Sequence, residues 1–269
     1  YHYSKLSHHN FRFKKLYFKC LKTISIILLN LQLKFKSPIL SIGMVIVYFR
    51  TEKQKHMNIH FDNVIPIPLS GIQHSDKSIW GNKFSLTKGE KVMLNASSGK
   101  GKTTFTHTLA GIRKDFNGSI RFDERKITSF SPEEWSDLRT NKMSFVFQDL
   151  QLFSQLTVEE NLYLKNNLTD TFTSAELKQM LKKLEIEDKW SVPCGILSMG
   201  QQQRVAIIRA LCQPFDWLLM DEPFSHLDIE NTNRALSLIN KRANDISSGF
   251  ILTTLGENHS FDFDRELNL

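Results

Sequence analysis

From Met57 onward, short apolar runs alternate with longer stretches whose apolar residues recur at helical spacing, the rhythm of an α/β domain. Runs at 64–69, 82–86, 92–95, 119–122, 143–147, 217–221 and 250–254 are predicted strands. Lys88-Gly89 supplies a turn between the second and third. A first helix is expected to run to about Ala110, with Gly111 as its C-cap glycine. The middle of the chain, about 151–196, has no strongly strand-like run and reads as helical. Ser131-Pro132-Glu133-Glu134 and Thr157-Val158-Glu159-Glu160 read as helix starts, with a hydroxyl to cap the free amides and acids in the first turn. Residues 173–183 carry a further amphipathic helix. The pattern predicts one domain over 57–269, with a helical insert at about 151–210.

Charge changes the picture only at the amino end. Of 269 residues, 35 are basic and 28 acidic, a formal charge of +7, but residues 1–56 hold eleven Lys or Arg and one acid, Glu52. The remainder is mildly acidic, which argues against a nucleic-acid-binding surface on the domain. The apolar stretches at 23–33 and 37–49 are separated by Lys34 and Lys36, and neither is long enough to span a bilayer. No small-residue cleavage site follows either, against a signal peptide. The preferred reading of 1–56 is upstream translated sequence absent from the natural protein; the competing one is a basic, apolar membrane-surface anchor. Cys20, Cys194 and Cys212 show no metal-ligand spacing and read as free thiols in a reducing compartment.

The candidate chemistry begins where the strand at 92–95 meets Ala96-Ser97-Ser98-Gly99-Lys100-Gly101-Lys102-Thr103-Thr104. Gly101, Lys102 and Thr103 match the end of the phosphate-loop pattern, and Ala96 stands at its first glycine. Glycines allow backbone amides to turn inward as an anion nest, and the following helix adds the positive end of its dipole. Ser98, Gly99, Lys100, Gly101, Lys102 and Thr104 are therefore expected to hold a nucleotide's phosphates. Lys102 would reach the β- and γ-phosphates, and the Thr103 hydroxyl would ligate Mg²⁺. Ala96 is harmless if its φ is negative and strained otherwise. A second site element is the run Trp217-Leu218-Leu219-Met220, ending in Asp221-Glu222-Pro223. Adjacent acids at a strand end repel unless a cation or a reaction uses them. Asp221 suits Mg²⁺, and Glu222 suits a general base for water.

Leu197-Ser198-Met199-Gly200-Gln201-Gln202-Gln203-Arg204 resembles the signature of ABC transporter ATPases, usually LSGGQQQR. Ser225-His226-Leu227-Asp228, and Phe147-Gln148-Asp149 with the helix start after it, are similar to further motifs of that family. The resemblance covers about 57–254 and lies nearest the cassettes of lipoprotein-releasing and macrolide-export systems. It implies a P-loop cassette of class α/β, with a mixed-sheet core, an antiparallel β subdomain and a helical subdomain. It also implies an ATPase subunit using ATP and Mg²⁺, with Gln148 as catalytic and metal contact. Ser198, Gly200 and Gln201 would act on ATP held by the opposite cassette of a homodimer or pseudo-dimer. A separate integral membrane permease is then the partner, placing the chain peripherally on the cytoplasmic face of the membrane, with no nucleic acid involved.

Two departures stand against this pattern. Met199 replaces a signature glycine, and Leu255 stands where the family has the histidine of a Thr-His pair. His259 substitutes for it only if its loop folds back. Slower hydrolysis is the corresponding expectation, and an ATP-gated regulatory module or a soluble non-transport cassette are the alternatives. His74 and Trp80 lie in the region where an aromatic usually stacks on adenine.

Overall fold

The computed structural model describes residues 57–75, 77–97, 99–256 and 259–269. The proposed extension at 1–56, Cys20 and Ser98 lie outside the described residues.

Nine strands form two sheets among the described residues. The first, antiparallel, contains β1 (Ile59–Pro66), β2 (Phe84–Leu86), β4 (Phe116–Phe122) and β5 (Arg125–Lys126), in the order β2-β1-β4-β5. The second contains β3 (Lys91–Asn95), β6 (Met143–Val146), β7 (Trp217–Asp221), β8 (Gly249–Thr254) and β9 (Arg265–Asn268), in the order β6-β7-β8-β3-β9. Every pairing in it is parallel. Parallel strands covered on both faces read as unbroken apolar runs, and β7 and β8 are buried at every position. The helices are α1 (Lys102–Leu109), α2 (Pro132–Asn141), α3 (Val158–Thr169), α4 (Ser174–Lys183), α5 (Met199–Leu211) and α6 (Ile229–Asp245).

Strand alternation splits the core between the two faces of the parallel sheet. Leu218, Met220, Phe250 and Leu252 pack with the helical residues Leu162, Leu181, Ile207, Leu211 and Ile239. Trp217, Leu219 and Ile251 pack with Phe105 of α1 and with Ile59 and Phe61 of β1. Polar contacts pin the sheets together beneath that core. The Trp217 indole N–H donates to the Met57 carbonyl at 2.7 Å. Asp216, just before β7, lies between Lys88 at 2.7 Å and Lys142 at 3.1 Å.

The helix starts are built from reciprocal caps. At Ser131, Thr157, Thr173 and Ser198 the hydroxyl accepts the amide three residues on, whose Glu or Gln side chain accepts the cap's own amide. Two expectations shift. The first strand begins at Ile59 rather than 64 and stops at Pro66. The proline-bearing Ile67–Leu69 segment forms a 3-10 turn, because proline fixes φ and removes a ladder donor. Strands β5 and β9 were not expected from the apolar pattern, since both lie at sheet edges and are largely polar.

Candidate active site

The candidate residues gather at the carboxyl ends of β3, β7 and β6, where parallel sheets place their ligands. After β3 the chain turns through Gly99 (φ 77°) and Gly101 (φ 102°), left-handed values that admit glycine without strain. A Cβ at Gly101 would stand 2.6 Å from Leu69 Cδ1, the tip of a side chain that can shift, so it is the left-handed φ that calls for glycine. Ala96 keeps a negative φ and needs no glycine. Lys102 opens α1 and its side chain is buried. Its ammonium donates to the Ala96 carbonyl at 2.9 Å and the Ser97 carbonyl at 3.3 Å, and lies 3.2 Å from Glu222 Oε1. Loop and acidic strand thus meet at one ammonium group.

Trp80 is 3% exposed, edge-on to Phe105, with its indole N–H donating to the Lys100 carbonyl at 3.3 Å. It props the phosphate loop from beneath and offers no face to a base. His74 is also turned inward, its Nε2 at 3.0 Å from the Leu69 carbonyl.

Across the sheet, Thr253 of β8 organises the two acids. Its hydroxyl donates to Asp221 Oδ1 at 2.7 Å and accepts the Glu222 amide at 3.2 Å. Glu222 has φ 48°, a left-handed value that costs a non-glycine residue roughly 1–3 kcal/mol. The amide contact to Thr253 and the Lys102 ion pair hold it there and turn its carboxylate toward the phosphate loop. The other Asp221 oxygen, Oδ2, is buried without a hydrogen-bond partner among the described residues. A buried carboxylate oxygen of this kind calls for a cation or an ordered donor. The Thr103 hydroxyl lies 3.4 Å from Gln148 Oε1, beyond the end of β6. Hydroxyl, amide oxygen and carboxylate are hard oxygen donors, so this set fits Mg²⁺ completed by phosphate and water.

Ser198, Gly200 and Gln201 form a separate end. Ser198 caps α5, Met199 is its first residue and is 47% exposed, and the Ser198 and Gln201 amides are both taken by the reciprocal cap. Among the described residues, these three make no hydrogen bond or ion pair with residues 96–104. A Cβ on Gly200 would lie 2.7 Å from the His226 carbonyl, so only glycine lets the segment after β7 rest on this helix. Gln203 latches that segment, donating to Ser225 Oγ at 2.8 Å and accepting the His226 amide at 3.0 Å. At the far end of α5, Arg209 donates to the Leu150 and Gln151 carbonyls, both at 2.7 Å. Burial lowers the pKa of its guanidinium, yet the group stays charged. One helix therefore joins the Ser198 end to the loop that carries Gln148.

The contacts of Thr253, Gln203 and Arg209 were not anticipated from sequence, because each partner lies more than twenty residues away. Leu255 is 61% exposed, and it and His259 both line the cavity that Glu222 lines.

A family model described as ABC transporter matches residues 81–225. The lipoprotein-releasing system ATP-binding protein LolD of Buchnera aphidicola subsp. Acyrthosiphon pisum is 34% identical over 174 residues, covering 64% of this chain and 76% of that protein. The macrolide export ATP-binding/permease protein MacB of Campylobacter jejuni is 34% identical over 163 residues, covering 59% of this chain and 25% of its own. Among solved structures, the dimeric bacterial ABC transporter cassette MJ0796 aligns with a TM-score of 0.66 at 26% identity, over 78% of this chain and 94% of that one. The same cassette in a post-hydrolysis state bound to ADP and Pi aligns with the same score. With the motifs in order on the matching fold, the chain belongs to the ABC transporter family, as an ATP-binding and ATP-hydrolysing cassette.

Proposed function

We propose that Gly99, Lys100, Gly101, Lys102 and Thr104, with Ser98, hold the phosphates of ATP, and that Glu222 activates the attacking water. Thr103, Gln148 and Asp221 are the residues that would hold Mg²⁺. The metal, when bound, neutralises phosphate charge and polarises the bond to be broken. The observation that carries this reading is the meeting of the Lys102 ammonium with the Glu222 carboxylate, next in the chain to Asp221, whose Oδ2 is buried without a hydrogen-bond partner among the described residues. Lys102 is a buried point charge already framed by two carbonyls, so little ordering is needed when a phosphate oxygen competes with Glu222 for it. Glu222, released toward solvent, accepts a water proton, while the amides of the loop keep the phosphoryl group fixed.

Ser198, Gly200 and Gln201 then serve the second ATP, held by an opposing cassette. Their exposed helix start and their separation from the phosphate loop support a head-to-tail pair with two nucleotides between the protomers. The dimeric cassette MJ0796 supports the same reading. No helix among the described residues is long and apolar enough to cross a membrane. The translocation path on this reading belongs to an integral permease partner, of the kind that a lipoprotein-releasing or macrolide-exporting system names, with this chain at its cytoplasmic face. The mildly acidic domain supports no nucleic-acid role.

Replacing Glu222 by Gln keeps shape and hydrogen bonding but removes the base. Hydrolysis is expected to fall at least about 100-fold, with MgATP affinity within a few-fold of the parent by equilibrium titration. Retained turnover in Glu222→Gln would remove Glu222 from this role.

A further inference from the structure

The segment after β7 carries a histidine, His226, whose backbone and ring are both fixed from α5. The Gln203 side chain is oriented by two bonds, its Oε1 accepting the His226 amide at 3.0 Å and its Nε2 donating to Ser225 Oγ at 2.8 Å. Ser225 Oγ in turn lies 3.0 Å from His226 Nδ1. With the Ser225 oxygen already accepting from Gln203, its proton goes to Nδ1, and the ring keeps its own proton on Nε2. His226 is exposed, so this N–H is open to solvent. Its place is beside the start of α5, since a Cβ on Gly200 would stand 2.7 Å from the His226 carbonyl. Arg204, one turn further along α5, donates to the Gly200 carbonyl at 3.3 Å and adds positive charge behind that start. Ser225 and Leu227, on either side, line the cavity that Glu222 lines, and His226 does not. Among the described residues it makes no hydrogen bond or ion pair with residues 96–104. The ring is a preorganised N–H donor outside its own phosphate site, on the patch that holds Ser198 and Gly200.

We propose that His226 reaches across the protomer interface, its Nε2–H donating to a terminal-phosphate oxygen of the ATP held by the opposing cassette. This rests on the proposed pairing of cassettes through Ser198, Gly200 and Gln201. A hydrogen bond to a charged oxygen is roughly twice as strong as a neutral one, and head-to-tail symmetry repeats the contact at both nucleotides. ADP lacks the phosphate that the ring addresses, so the contact favours the closed pair with ATP and is lost with the product. His226 takes no proton and forms no covalent bond; its part is in pairing.

The test measures ATP-driven pairing by light scattering in the full chain carrying Glu222→Gln, alone and with His226→Phe or His226→Gln. Phenylalanine removes the N–H; glutamine sets an amide donor close to the place of Nε2. His226→Phe is expected to weaken pairing at saturating MgATP by at least about tenfold, with MgATP affinity of the dilute monomer within about twofold. His226→Gln is expected to pair within about threefold of the Glu222→Gln chain. His60→Ala, in β1, is expected to match that chain. Undiminished pairing in His226→Phe overturns the assignment. So does an equal loss in the Phe and Gln variants, because the donor is then not what counts. A weakened MgATP affinity of the dilute His226→Phe monomer also overturns it, since that sets the ring on its own nucleotide. If Glu222→Gln without further change binds ATP and stays monomeric, the head-to-tail reading itself fails, and the His226 role falls with it.

Discussion

At the scale of single residues, the site is a set of local strains held by distant partners. Glu222 keeps its left-handed backbone because Thr253 and Lys102 hold its two ends, and Gly200 is required by a carbonyl rather than by φ. The phosphate loop and the acid pair were legible because their chemistry needs consecutive residues at one strand end. Thr253 and Gln203 were not, because their roles come from what the fold sets opposite them. The buried cysteines show the same dependence on surroundings. Burial pushes Cys212 up to about 12 and Cys194 to about 11. A thiol raised in the folded state contributes stability below the unfolded pKa of about 8.5, and loses it as pH climbs through the folded value. At pH 8 the folded protein is expected to leave both thiols unmodified by iodoacetamide, with full reaction in urea, as read by peptide mass. Rapid alkylation of Cys212 in the folded chain would contradict its burial.

At the scale of elements, one physical device recurs. Reciprocal caps start α2, α3, α4 and α5, and the expected starts at Ser131 and Thr157 were readable from a hydroxyl followed by an acid three residues on. Helix α6 carries a sequence signal of the same kind, since Asp228 caps it and Ala235, Leu236, Leu238, Ile239 and Ala243 recur at helical spacing, but it lies beyond the expected elements. Edge strands β5 and β9 gave no such signal, because one-sided burial leaves little apolar pattern. The caps are not equivalent in function. Ser198→Ala and Thr173→Ala are each expected to cost about 1 kcal/mol in urea unfolding. Only Ser198→Ala is expected to weaken ATP-driven pairing of cassettes, measured by light scattering. Equal pairing in both variants would separate the α5 end from ATP.

At the scale of the whole molecule, a parallel sheet carries the hydrolytic residues, while α5 links the Ser198 end to the Gln148 loop through Arg209. The α/β class and its helical insert were readable from the order of runs, whereas the antiparallel sheet was implied by the resemblance. The strand order β6-β7-β8-β3-β9 was not, because pairing joins segments far apart in the chain. The account rests on a two-part nucleotide site, one part on each protomer. Its most direct test is the solution mass of Glu222→Gln by light scattering, with and without saturating MgATP, together with the bound nucleotide count. A monomer that becomes a dimer holding two ATP molecules is the expected result. A protein that binds ATP yet remains monomeric at saturation would contradict it.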